Sequence, residues 1–216
     1  MNIETIAVKI NGNPYFTANC FIVSKLPESD SVVVIDPGDE PKLILQHIGS
    51  RKVLAIICTH GHSDHLGGAS FIAEATGAEI YMHELDVPWA RELYEEVSRY
   101  LQGRISAEVP PAPKISHYLT EGQVLEFDGL ALTVLHTPGH SAGSVCLYHE
   151  DEAVLFSGDT LFYSTCGRTD LPFGDPKSMH DTLARLATLP PDTTVYPGHE
   201  SPTTIGDEIG RGLSEY

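Results

Sequence analysis

Basic residues are scarce in this chain. Thirteen Lys and Arg stand against thirty Asp and Glu, a formal net charge of −17 at pH 7. Lys and Arg form no concentrated run, so the chain would repel nucleic acid and anionic membrane surfaces, and neither is an expected partner. No apolar stretch reaches the ~18 residues of a membrane span. The opening Met1-Asn2-Ile3-Glu4-Thr5 lacks the basic-then-apolar pattern of a secretory leader, and cytoplasm is the expected compartment. Cysteine is limited to Cys20, Cys58, Cys146 and Cys166, with no CxxC pair. The first three sit in apolar, strand-like runs and read as small buried hydrophobes, as suits an intracellular protein with unpaired thiols. Tandem repeats are also missing.

The remaining composition is that of a globular protein. With 216 residues and 41% hydrophobic content, the chain is read as a single domain over residues 1–216. Short runs rich in β-branched residues, bounded by Gly, Pro, Asp or Asn, predict strands. They lie at Ile6–Ile10, Phe16–Val23, Val32–Ile35, Val53–Cys58, Ala78–Tyr81, Ala131–Leu135, Ser144–Tyr148, Ala153–Phe156 and Thr194–Tyr196. Asp128-Gly129 between Leu125-Glu126-Phe127 and Leu130-Ala131-Leu132 predicts a hairpin. Helices are predicted at Pro41–Ile48, Leu66–Thr76, Glu84–Leu101 and Pro176–Leu189, the last capped near Asp175. The Pro-rich stretch Val109–Pro113 reads as a loop joining two halves of one domain. Many hairpins with helices at the flanks suggest an α+β fold, two sheets with helices packed outside.

The densest chemistry is Thr59-His60-Gly61-His62-Ser63-Asp64-His65, which places three imidazoles and a carboxylate in six consecutive residues from His60 to His65. It follows the strand Val53–Cys58 and precedes a helix, a common place for a site. His60 and His62, two apart, point the same way, whereas Asp64 and His65 lie past the turn and aim elsewhere. Three further segments repeat the pattern of a His or Asp beside Gly just beyond an apolar strand: Pro138-Gly139-His140, Gly158-Asp159 and Gly198-His199. Together His60, His62, Asp64, His65, His140, Asp159 and His199 offer seven donors. One zinc takes about four, so seven suit two ions with Asp159 bridging. One ion would take His60, His62, His140 and Asp159; the other would take Asp64, His65, His199 and Asp159. Two cations ~3.5–4 Å apart can convert a shared water to hydroxide and polarise a carbonyl. His136 reads as a structural hydrogen-bonding residue, because Pro138-Gly139 prevents a helical turn to His140. Asp36 either orients a ligand imidazole or initiates a turn. His47, His83, His117, His149 and His180 read as ordinary surface or partly buried histidines.

Thr59–Gly68, His136–His140, Ser157–Phe162 and Tyr196–His199 resemble the successive motifs of the metallo-β-lactamase superfamily in order and spacing. The resemblance covers roughly residues 16 to 205. It implies an αββα sandwich, two mixed sheets face to face with helices on the outer faces and two metals at one edge. Members that are true β-lactamases are exported and carry a cysteine or other ligand where Asp159 stands. Nucleic-acid-processing members add inserted domains and a basic surface, and flavodiiron members carry a flavin domain. The features of this chain are similar to those of the glyoxalase II-like branch. Cys166-Gly167-Arg168-Thr169-Asp170-Leu171 resembles the stretch after the bridging Asp in glyoxalase II and in persulfide dioxygenases. The ending from Pro197 to Gly206 is similar to that of short bacterial glyoxalase II enzymes without the C-terminal helical substrate domain.

What the resemblance implies is a hydroxyacylglutathione hydrolase acting on a small-molecule thioester such as S-lactoylglutathione. It would use two divalent ions, zinc first, with iron or manganese equally suited to His and carboxylate donors. Asp64 would ligate the second ion and orient the attacking hydroxide, and Arg168 would anchor the anionic glutathione. The alternative within the branch is a persulfide dioxygenase with one iron on His60, His140 and Asp159, and another small ester or thioester is a further substrate reading. A non-catalytic, metal-stabilised binding module is the third reading, and it leaves unexplained why so many donors leave room for water. Oligomeric state stays open.

Overall fold

In the segment Thr17–Ser24, Phe21 and Val23 face one side and Cys20 and Ile22 the other, and all four are buried. A strand that is apolar on both faces needs cover on both faces. The computed structural model, which describes residues 1–88, 90–91 and 113–213, supplies that cover with two sheets and flanking helices.

The first sheet runs in sequence order: β1 (Asn2–Lys9), β2 (Thr17–Ser24), β3 (Ser31–Ile35), β4 (Lys52–Ile57), β5 (Ile80–His83) and β6 (His117–Leu119). β1, β2 and β3 pair antiparallel, and the pairings from β3 to β6 are parallel. The second sheet is built from β7 (Val124–Phe127), β8 (Leu130–His136), β9 (Val145–His149), β10 (Val154–Gly158), β13 (Thr194–Pro197) and β14 (Thr203–Thr204). Its order is β14-β13-β10-β9-β8-β7, antiparallel except where β10 meets β13. A small hairpin, β11 (Leu161–Phe162) with β12 (Thr165–Cys166), stands apart. The predicted Asp128-Gly129 hairpin is present, with φ of 50° and 80° at its two loop residues. Two successive positive φ values match the right-handed twist of the strands they join.

Between the sheets, Phe21, Val23, Ile35 and Ile57 pack against Leu132, Val134, Leu147 and Phe156. On the outer face of the first sheet, α1 (Pro41–Ile48), α2 (Ser63–Leu66) and α3 (Ala69–Thr76) bury Ile44, Leu66 and Ile72 against Ile22, Val34 and Ile56. On the opposite outer face, α4 (Pro176–Leu186) and α5 (Ile205–Gly210) bury Met179, Leu183 and Ile205 against Cys146, Leu155 and Val195. Each such fully buried aliphatic contributes roughly 1.5–3 kcal/mol. The result is the expected αββα sandwich. Among the described residues, no helix is long and apolar enough to cross a membrane.

The expected helix Leu66–Thr76 is instead two helices. α2 begins at Ser63, so Asp64 and His65 are helical, and the break falls at Gly67-Gly68, where the Gly68 N–H donates to the Pro37 carbonyl at 2.7 Å. The helix expected over Glu84–Leu101 opens with a 3-10 turn at Glu84–Asp86, and most of the rest lies outside the described residues. So does the Pro-rich stretch, up to residue 112.

Asp36 follows β3, the His60 segment follows β4, His140 lies between β8 and β9, Asp159 follows β10 and His199 follows β13. All lie at one edge of the sandwich, where the sheets are tied by Val145 N–H to Thr59 O at 2.9 Å and Asn19 N–H to Gly198 O at 2.7 Å.

Candidate metal centre

Seven side chains predicted from the sequence meet at this edge, in two unlike halves. In one, His60, His62 and His140 converge: His60 Nε2 is 2.9 Å and His140 Nε2 2.8 Å from His62 Nδ1. In the other, His65 Nε2 lies 3.2 Å from Asp159 Oδ1 and 3.3 Å from His199 Nε2. His199 Nε2 is 3.4 Å from Asp64 Oδ2 and 3.5 Å from Asp159 Oδ2. Asp159 reaches both halves, since its Oδ2 is also 3.6 Å from His140 Nε2. His60 adds a cross-link of its own, sharing a cluster with His65 and Asp159.

The outer bonds decide which ring nitrogen faces inward. His140 Nδ1 donates to the Arg168 carbonyl at 2.8 Å, and His199 Nδ1 donates to the Thr17 carbonyl at 2.6 Å. His65 Nδ1 donates to Asp36 Oδ2 at 3.1 Å. His60 Nδ1 lies 3.1 Å from Thr59 Oγ1, whose own proton goes to Asp36 Oδ2 at 2.7 Å. A carbonyl or carboxylate only accepts, so Nδ1 carries the proton and Nε2 is turned to the centre. Asp36 is therefore an orienting group, the first of its two sequence readings.

The two halves differ electrostatically. Burial, then the neighbouring imidazoles, push the His60 ring well below its ordinary range and His62 down to about 3. With Nδ1 of His60 and His140 hydrogen-bonded outward, their Nε2 atoms face His62 Nδ1 at 2.9 and 2.8 Å, a gathering of nitrogens that suits a cation. In the other half burial opposes charge on His65, but the Asp159 and Asp64 carboxylates outweigh it and hold the ring up. His199 is likewise raised, to about 10, because hydrogen bonds to Asp159 and Asp64 overcome its burial. Asp159 and Asp64 stay low despite burial, each held chiefly by the His65 charge and the His199 hydrogen bond. Without a metal, protons on His65 and His199 balance these carboxylates. Three groups of donors, His60/His62/His140, His60/His65/Asp159 and Asp64/His65/His199, are close enough to hold a metal ion.

The Arg168 side chain is not part of this convergence. It is exposed and forms two bonds to Asp170, at 2.7 and 2.8 Å, and only its carbonyl serves the centre, through His140. His136 is structural as expected: its Nε2 donates to the Ala142 carbonyl at 2.9 Å, and its ring stacks on His83 at 4.3 Å. Cys20, Cys58 and Cys146 are fully buried. His83 and His149 are more buried than their polar surroundings suggested. Sequence reading missed Asp86, the Thr17 carbonyl, and two rings against His199: Phe16, stacked at 5.6 Å, and Phe162, edge-on at 6.0 Å. Backbone carbonyls and isolated aromatics carry no motif, and Asp86 sits 21 residues past His65, in His83-Glu84-Leu85-Asp86, without the glycine that marks the other site segments.

The sequence pattern of the metallo-beta-lactamase superfamily matches residues 14–199. The chain belongs to that superfamily. Within the metallo-beta-lactamase superfamily, hydroxyacylglutathione hydrolase GloC of Haemophilus influenzae is 33% identical over 212 residues, 96% of this chain and 95% of that one. An uncharacterized protein of Aquifex aeolicus is 38% identical over 191 residues, 88% of each chain. Among solved superfamily structures, TTHA1623 in a di-iron-bound form is 36% identical with a TM-score of 0.79, covering 95% of this chain and 96% of that one. The BLEG-1 B3 metallo-beta-lactamase is 29% identical with a TM-score of 0.83, covering 99% of both. The superfamily fold and the convergent His and Asp donors mark metal-binding candidates, and such donors suit zinc, iron and manganese alike.

Proposed function

We propose that this chain is a cytoplasmic, dinuclear metal-dependent hydrolase of hydroxyacylglutathione thioesters such as S-lactoylglutathione, releasing a hydroxy acid and glutathione. The observation that carries the reading is the division of seven donors into two half-sites spanned by Asp159. His60, His62 and His140 with Asp159 would hold one cation, and Asp64, His65 and His199 with Asp159 the other. The similarity to GloC, over nearly the whole of both chains, supports the substrate class.

When bound, two cations lower the pKa of a water between them and polarise a carbonyl oxygen. The protein's own groups supply the rest. Asp36, Thr59, Thr17 and the Arg168 carbonyl fix the imidazoles, so no reorganisation is needed as the reaction proceeds. Asp64, kept ionised, accepts a hydrogen bond from the attacking water and aims its oxygen at the thioester carbon. Water adds to that carbon, the C–S bond breaks and sulfur leaves as the thiolate; of the two protons that water brings, one goes to the thiolate and the other to solvent as the carboxylate forms. Phe16 and Phe162 form an apolar wall beside His199 against which the acyl group packs.

A mononuclear reading on His60, His140 and Asp159 fits less well, because His62 Nδ1 stands within 2.9 Å of both imidazoles and would join any such ion. The test is metal content with three assays. Two metals per chain and glutathione release from S-lactoylglutathione are expected, and His199→Ala should lower kcat/KM at least about 100-fold. One iron with oxygen uptake on glutathione persulfide would overturn the reading, as would turnover of the β-lactam nitrocefin without thioester cleavage.

A further inference from the structure

Asp86 ends the 3-10 turn after β5 and is almost wholly buried, at 1% exposure. A buried carboxylate is costly unless its lone pairs are met by donors. Here three donors meet them. Oδ2 accepts the Gly61 N–H at 2.9 Å and the Ser141 hydroxyl at 2.7 Å, while Oδ1 accepts the Gly143 N–H at 2.6 Å. Gly61 lies between His60 and His62, and Ser141 directly follows His140. One side chain thus fastens both backbone segments that bring the three-histidine half together, segments that leave different sheets.

The approach is close on both sides. A Cβ on Gly143 would lie 2.7 Å from the Asp86 carboxylate, and one on Gly61 would lie 3.1 Å from the Asp86 backbone oxygen and from Ala90 Cβ. The far loop is also braced: Ser144 Oγ accepts the Ser141 N–H at 3.2 Å and shares a 2.7 Å hydrogen bond with Ser141 Oγ. The Ser144 carbonyl accepts the Thr137 N–H at 2.8 Å. Cutting the Asp86 bonds would therefore leave the two segments joined by the Val145 N–H to the Thr59 carbonyl at 2.9 Å, so that their spacing loosens without dissolving either one.

We propose that Asp86 is a positioning residue that sets the separation of His60 and His62 from His140, and so the metal affinity of that half of the centre. The inference rests on the dinuclear reading above. It predicts an asymmetric effect: Asp86→Ala loosens the three-histidine half and leaves the Asp64/His65/His199 half nearly intact. Asp86→Asn keeps the shape but turns an NH2 toward a backbone donor, so its effect is intermediate. Ser141→Ala removes one of the three bonds and should act in the same direction, more weakly.

The test is equilibrium competition for Co²⁺ between a chelator and the reconstituted protein, followed by metal content and the cobalt visible spectrum. Wild type should bind two ions. Asp86→Ala should lose one of them about 10–100-fold more readily, the range of a lost outer hydrogen bond, with the spectrum of the remaining ion unchanged. Two equally retained ions in folded Asp86→Ala would overturn the role of Asp86, as would equal weakening of both. If Asp86→Ala does not fold, Asp86→Asn and Ser141→Ala decide by the same criterion. Fewer than two ions in wild type would instead overturn the dinuclear reading.

Discussion

Asp36 takes three donors at once: the Thr59 N–H and hydroxyl, both at 2.7 Å, and His65 Nδ1 at 3.1 Å. It does this from a left-handed backbone position, φ 51°, which a short polar side chain tolerates better than most. The sequence offered Asp36-Pro37-Gly38 both as a turn and as an orienting group, and only the fold, by bringing β3 beside β4, chose between them. The seven donors were legible because each stands beside a glycine or another ligand in a motif. Their outer partners were not, because Thr17 and Arg168 act through backbone carbonyls that every residue possesses. The same two-part electrostatics predicts how the metals load. His65 and His199 are raised, so in the metal-free chain near neutral pH their rings carry protons that a cation must expel, whereas His60 and His62 are already neutral. Loading the carboxylate half should release protons, and its apparent affinity should fall roughly tenfold per proton per pH unit below about 10, where His199 titrates. Calorimetric titration with Zn²⁺ in buffers of different ionisation enthalpy reads this directly. Equal proton release from both halves would contradict it.

At the scale of elements, sequence signals worked where the cause was local. Pro41 sits at the first turn of α1, Asp175 caps α4 by accepting the Ser178 N–H at 3.0 Å, and Asp128-Gly129 turns the β7–β8 hairpin. They failed where a distant segment intervened. β6 has three residues and exists by pairing with β5, and the split between α2 and α3 is imposed by the Pro37-Gly38 backbone lying across it. Contact there is tight: a Cβ on Gly38 would fall 1.6 Å from the Asp64 carbonyl oxygen. Gly38→Ala must therefore push α2 outward, and with it Asp64 and His65. The variant should lose on the order of 1–3 kcal/mol of stability to overpacking and bind less metal in the Asp64/His65/His199 half than in the other. Urea denaturation with metal analysis checks both, and unchanged metal content would show that α2 yields without moving its ligands.

Over the whole molecule, the charge of −17 surrounds a site proposed to take an anionic thioester. Arg168, the basic residue expected to offset this, is committed to Asp170, so long-range repulsion is not cancelled by that side chain. Screening shortens from ~30 Å at 0.01 M salt to ~8 Å at 0.15 M. The kcat/KM for S-lactoylglutathione should accordingly rise with ionic strength, by about twofold or more over that range, while an uncharged thioester should show no such rise. A fall with salt would mean that local positive charge dominates the approach. The centre also gathers groups from Asp36 to His199, drawing on the ends of both sheets. During synthesis, a nascent chain can place His60, His62 and His65 early, but the cluster cannot close until His199 has emerged. The Asp64/His65/His199 group is thereby completed later than the His60/His62/His140 group, and a ribosome stalled between His140 and His199 would display a half-built centre.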